Sequence, residues 1–398
     1  MDDRAGLCFA SALSDVSNTP VAVERVVADL AQQMRGAADL VVVFVTGHPS
    51  DSMDLIGRQL ADQLSPKVLL GVTGGGVIGR QHEVEGAAGL SVLAARLPGA
   101  QIRAFDRRWT DASDDSCDEL IESLDGEKNT PQAVLLLADP FSTPMANVLS
   151  TFASRWPGVP VVGGMASGAS KPGGNRLFVN GRVCRDGLVG LVIDGGVRVG
   201  CIISQGCRPV GTPLVITKSQ RHIVYELGGR DVVSVLQEMI EQLHPEERHL
   251  VQTRGLMVGR VIDEYKERYG RGDFLIRQVL AVDQEAGYLA INDPQVRVGQ
   301  TVQFHVHDQK TAVEDFKLLL EGEKLYGPAG GAILVSCNGR GRNLFGQPHT
   351  DAQIVHEAMG DMPLAGFFAA GEIGPVGNEN FLHGHTASLI LFRALVDP

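Results

Sequence analysis

The chain has no run of lysine and arginine interleaved with aromatics, and its 47 acidic against 35 basic residues leave a formal charge of −12. Gripping nucleic acid or an anionic membrane needs a basic face, so neither is expected as a partner. Long apolar runs are also missing. Stretches such as Ala133–Ala138 fall far short of the ~20 residues a spanning helix needs, so no membrane insertion is expected. The opening, MDDRAGLCFASALS, starts acidic and lacks the layout of a signal peptide. Cys8, Cys117, Cys184, Cys201, Cys207 and Cys337 show no CxxC spacing, which argues against a zinc ribbon or disulfide framework and suits a reducing compartment. No CxxCH haem-attachment motif and no low-complexity linker occur. These absences predict a soluble cytoplasmic protein.

What is present is ordinary globular composition. The 398 residues are 44% hydrophobic and 21% charged, enough for two or three domains at about 100–200 residues each. The spacing of Val23, Val26, Val27, Leu30 and Met34 predicts a helix from Pro20 to Met34, capped by Asn18 or Thr19. Leu40–Val45 and Val68–Val72 read as buried strands, with a helix over Ser52–Leu64 between them. The layout recurs: Ala133–Ala138, the helix Pro144–Trp156 and Gly163 align with Val41–Thr46, Ser52–Leu64 and Gly71. A looser third copy has its strand at Ile333–Ser336, its helix at Ala352–Met359, a second strand at Leu364–Phe368 and a closing strand at Ala387–Phe392. Related β–loop–helix–β units that feed antiparallel strands give an α/β class, mixed with α+β, with parallel and antiparallel pairing. Between the copies, Leu214–Thr217 with His222–Tyr225 reads as a hairpin, Asp231–Leu243 and Thr311–Leu320 as helices, and Phe274–Ala281 and Thr301–His307 as strands. The turn-rich stretch Gln205–Gly211 marks a boundary, so two packed domains are expected, 1–208 and 209–398.

The chemistry concentrates between Gly366 and Phe392. Two apolar runs are joined there by a Gly/Pro/Asn loop that brings together Glu372, Gly374, His383, His385 and Thr386. Polar groups at the tips of buried strands serve a ligand better than they serve packing. The competing reading is a polar turn with a satisfied histidine pair. His383-x-His385 on a strand would put both imidazoles on one face, and with Glu372 they would make a three-ligand set for zinc or iron. His305-Val-His307 shares the spacing but sits in an alternating strand and is expected to be exposed. Upstream, Cys337-Asn338-Gly339-Arg340-Gly341 leaves a buried strand into a turn that exposes backbone N–H groups. Arg340 offers a planar fork for a carboxylate. Cys337 would be a nucleophile only beside an activating group such as a histidine; otherwise it is packing. Cys207 and Arg208 repeat the pairing of Cys with Arg at a Gly/Pro turn and serve either a ligand or a structural junction. Gly74–Gly79 fits GxGxxG, but the residues after it do not read as the helix that would hold a pyrophosphate.

These motifs carry a resemblance. Leu69–Gly79, Gly163-Gly164, Ser204–Gly211, Ser336–Gly341, Gly366-Phe-Phe, Gly371–Pro375 and Leu382–Ser388, in that order, resemble FIST proteins, with a FIST N-terminal and a FIST C-terminal domain. The resemblance implies an intracellular sensory module that binds small ligands such as amino acids. Some bacterial members resemble haem-bound nitric oxide sensors, and one eukaryotic branch joins the module to an F-box. Here the first strand follows almost directly on the start, and no fused kinase or cyclase segment is seen, so a separate signalling partner is implied.

The leading expectation is a sensor in which Arg340 grips a carboxylate and Glu372 an amine, with Asn338, Thr386 and the glycines shaping the pocket. The alternatives are a haem- or metal-binding sensor using His383 or His385, a Cys337-dependent enzyme, and a protein-recognition scaffold.

Overall fold

The strand expected at Leu40–Val45 runs from Leu40 to Thr46 and pairs in parallel with Val68–Thr73. The structure, a computed structural model, describes residues 6–34, 36–109, 117, 120, 124, 130–270, 272–293 and 295–395. Val41, Val43 and Val45 pack with Val23, Val26, Leu30, Ile56 and Leu60 of helices Thr19–Gln33 and Met53–Leu64. Leu40, Val42 and Phe44 enter a different core on the opposite face. Successive strand side chains point to opposite faces, so a strand covered on both reads as one unbroken apolar run. Asn18 caps the first helix by accepting from the Val21 N–H, with Pro20 in its first turn.

The same sheet is built three times, which bears out the three copies and the mixed pairing. Parallel pairs form between Leu40–Thr46 and Val68–Thr73, between Ala133–Ala138 and Val161–Met165, and between Gly331–Cys337 and Leu364–Ala369. In each, the first strand takes an antiparallel closing strand: Gly89–Arg96, Leu188–Asp194 or Ala387–Ala394. An edge strand completes that side: Cys8–Ser14, Gln101–Arg107 or Val197–Ser204. The other edge is lent by a different copy. The hairpin Gly76–Gly79/His82–Glu85 pairs with Leu364–Ala369, Leu177–Val179/Arg182–Cys184 with Val68–Thr73, and Glu372–Val376/Glu379–His383 with Val161–Met165. Each copy therefore closes the sheet of another, and alternate residues of all three sheets meet in one core that includes Phe44, Leu135, Val335 and Phe367. The Phe44 and Phe367 rings stack at 5.1 Å.

One glycine position repeats with the fold. Gly71, Gly163 and Gly366 lie beside Val43, Leu136 and Leu334 in the same register of the three parallel pairs. A Cβ there would come within 2.3, 1.9 and 1.9 Å of the partner's carbonyl oxygen. No side chain fits such an approach.

The hairpins correct one expectation and bear out another. Glu372–Pro375 is part of a strand rather than an open loop. Gly76–Gly79 is likewise a strand, so no helix opens at the GxGxxG match.

The chain forms two compact units, Met1–Ile203 with Lys317–Pro398, and Ser204–Phe316. In sequence the second unit interrupts the third copy, between its edge strand and its first parallel strand. It carries its own seven-stranded sheet in the order Cys207–Gln220, Thr301–His307, Leu256–Val261, Phe274–Asp283, Tyr288–Ile291, Ile223–Leu227 and Arg230–Asp231. Helix Val232–Gln242, capped by Asp231, packs Val232, Val235 and Leu236 into its core. His305 and His307 were expected to be exposed; they are 2% and 3% exposed, because their strand is interior and apolar residues cover both faces. The His305 ring meets Phe274 edge-on at 4.9 Å, and burial pushes its pKa down to about 4.

Candidate functional site

At the C-terminal ends of the parallel strands the three copies are stitched together. The Gly75 N–H donates to Ser167 Oγ at 2.8 Å, the Ser167 and Gly168 N–H groups donate to the Thr73 carbonyl, and Ser167 Oγ–H donates to the Phe368 carbonyl. The Ala370 N–H donates to the Met165 carbonyl at 3.1 Å, and Met165 N–H returns a bond of 2.8 Å to Gly371. Beside this seam the third copy places its polar residues. The Cys337 N–H donates to Thr386, Asn338 N–H to Ala369, and Arg340 N–H to the Cys337 carbonyl. That last bond closes a tight turn and sends the Arg340 side chain inward.

Arg340 is fully buried, and its fork is occupied. Nε and Nη2 donate to the two oxygens of Asp351 at 2.8 and 2.7 Å, and Ser336 Oγ–H donates to Asp351 at 2.7 Å. The third nitrogen, Nη1, is buried and makes no hydrogen bond. Asp351 lies in the first turn of helix Thr350–Met359. An acidic residue there reads from sequence as a partner of the helix dipole, so nothing local marked it as the partner of Arg340.

Glu372 faces the same interior. It is 0% exposed, and its Oε2 accepts from Thr386 N–H at 3.1 Å and Thr386 Oγ–H at 2.8 Å. Oε1 is buried and makes no hydrogen bond to nitrogen or oxygen. Burial pushes the carboxyl up to about 8 against the pull of Thr386, Cys337 and Arg340, which favours the protonated form at neutral pH. The Cys337 thiol lies against this carboxyl, and burial and the Glu372 charge both push its pKa up. Asn338 is exposed and Gly339, Gly384 and His385 half-buried, so these four form the surface over the buried cluster.

Cys337–Arg340, Asp351 and Glu372 lie within a matched family domain, and Gly384, His385 and Thr386 follow shortly after it. The FIST N domain matches residues 39–230 and the FIST C domain residues 233–375. The chain belongs to the FIST family. FIST domains are a signal-transduction sensory family. Over 365 residues the chain is 38% identical to the Uncharacterized protein Rv0628c of Mycobacterium tuberculosis strain H37Rv, covering 91% of this chain and 93% of the relative. Over 384 residues it is 37% identical to the Uncharacterized protein Mb0898c of Mycobacterium bovis, covering 95% and 97%.

Among the sequence-predicted residues of this FIST protein, Cys337, Asn338, Gly339, Arg340, Glu372, His385 and Thr386 come together. Gly341 sits at φ +53, where a Cβ would lie 2.6 Å from the Glu85 carboxylate. Gly374 is buried, with a Cβ position 2.2 Å from Ile203 and a carbonyl 3.0 Å from His383 Nε2. The two imidazoles do not share a strand face: the strand ends at His383, and His385 has a left-handed φ of +62. His385 lies over Gly339, whose Cβ position is 2.9 Å from its Nδ1. Cys207 and Arg208 belong to the other unit, where Arg208 pairs with Glu247 at 3.0 Å.

Among the described residues no three of His, Cys, Asp and Glu come close enough to hold a metal ion. His385 borders Gly339 and feels the charge of Arg340. An open cleft of about 650 Å³ lies away from these residues, lined by Asp29, Gln33, Arg80, His82, Glu83 and His349 among others. Sequence reasoning passed over it. Glu83 in its wall accepts from the His349 and Ala352 N–H groups at 2.8 and 3.0 Å, capping helix Thr350–Met359.

Proposed function

We propose that this FIST protein is a cytoplasmic small-molecule sensor whose ligand, an amino acid or similar polar molecule, binds at the strand ends around Cys337–Gly341, Glu372 and Thr386. The observation that supports this reading is a pair of buried atoms with no nitrogen or oxygen partner among the described residues, Arg340 Nη1 and Glu372 Oε1. Leaving a buried polar atom unsatisfied costs about 1–3 kcal/mol, and a polar ligand would remove that cost at both atoms. Arg340 contributes one nitrogen instead of its whole fork, since Asp351 holds the other two. The signal would pass to a separate protein partner.

The Cys337-enzyme reading gains no support from a thiol held in its neutral form, since the thiolate is the nucleophile. Native mass spectrometry of the purified protein, compared with its denatured mass, tests the sensor reading. A small mass that departs on denaturation is the expected result. No retained mass, together with no thermal stabilisation by any of the L-amino acids, their amides or their decarboxylated amines, overturns it.

A further inference from the structure

The buried cluster has more carboxyl groups than cations. Arg340 carries its positive charge, and both Asp351 oxygens are already on it. Among the described residues Glu372 has no ion pair; its Oε2 is held by Thr386, the Cys337 thiol hydrogen-bonds the carboxyl, and Oε1 has no nitrogen or oxygen partner. Ionising Glu372 in this setting would leave one unbalanced negative charge in the interior, which is strongly unfavourable.

His383, opposite Glu372 in the hairpin register, directs Nε2 at the Gly374 carbonyl. His385 is held neutral by burial and by the Arg340 charge, and the Cys337 thiol is held neutral by burial. Arg340 is in electrostatic range of Glu372 but is matched by Asp351.

We propose that the ligand of this site is a small primary amine bearing a neutral hydrogen-bond acceptor, with its ammonium on Glu372 Oε1 and its acceptor on Arg340 Nη1. The inference rests on the sensor reading above and names the ligand class for that site. Binding converts the Glu372 carboxylic acid and a free ammonium into a buried carboxylate–ammonium pair, and the displaced proton goes to solvent. A carboxylate at the buried end would bring an unmatched anion, so amides, esters and amino alcohols are favoured over groups that place an anion there.

Isothermal titration calorimetry of the full chain at pH 7, in phosphate and in Tris, tests this with L-amino acids, their amides, their decarboxylated amines and their deaminated acids. Heats that differ between the buffers count the protons released. The expected result is binding of amides at least about tenfold tighter than the parent amino acids, with close to one proton released per ligand. Glu372→Gln, which keeps the shape of the protonated acid, should abolish the release and weaken binding about tenfold or more. Deaminated acids that bind as well as the amines, or amine binding without proton release in the unmodified protein, would overturn the ligand class and leave the sensor reading standing. If no member binds and no small molecule is retained in native mass spectrometry, both fall together.

Discussion

Arg340 and Asp351 form a two-point ion pair with neither side chain exposed, joining the turn after Gly331–Cys337 to the first turn of helix Thr350–Met359. Breaking such a pair strands a buried charge. Asp351→Asn should therefore cost about 3–5 kcal/mol, whereas Arg340→Met combined with Asp351→Leu should cost less than either single change. Urea unfolding midpoints of Asp351→Asn, the double variant and its two single variants check this. A double variant as unstable as the sum of the singles would show that the two side chains contribute separately.

Glu372 sets a pH window of its own. Its carboxyl is raised from 4.5 to about 8, so the folded state binds the proton more tightly than the unfolded chain does. The corresponding stability is fully present below pH 4.5 and is lost as pH rises to about 8. Glu372→Gln lacks this loss, so it should gain on the unmodified protein by a few kcal/mol between pH 5 and pH 8.5. Unfolding free energies at both pH values measure the gain, and a change of opposite sign would mean that Glu372 is ionised in the fold.

Gly163 offers a test of the repeat. With φ +133 and a Cβ position 1.9 Å from the Leu136 carbonyl oxygen, Gly163→Ala should destabilise by about 3 kcal/mol or more, since the parallel pair must separate. Gly158 has φ +77 but open space around it, so Gly158→Ala should cost only about 1 kcal/mol of backbone strain. Thermal melts of the two variants would separate strand contact from strain; equal losses would remove the packing explanation.

The thiol chemistry follows from burial. Cys201 is pushed up to about 12 and Cys337 is also raised, so iodoacetamide at pH 7.5 should leave both unmodified in the native protein and label them once it is unfolded. Peptide mass mapping reads the outcome. Labelling of native Cys337 at the rate of a free thiol would return weight to the enzyme reading.

Local pattern determined the building blocks. Continuous β-branched runs such as Leu40–Val45 announced strands covered on both faces, helical spacing announced Thr19–Gln33, and the Gly71–Gly163 correspondence announced a repeat. The residues of the candidate site stood out because Cys337–Gly341, Glu372 and Thr386 lie where apolar runs stop. Partner choice was another matter. That each hairpin closes another copy's sheet, as Val77 does beside Phe367, depends on backbone edges that present the same hydrogen-bonding groups whatever their sequence. That Arg340 belongs to Asp351, and that His305 is interior, depends on which faces the tertiary structure covers. Periodicity records how a segment divides its faces; only the assembled fold decides what each face meets and which charges remain unmatched.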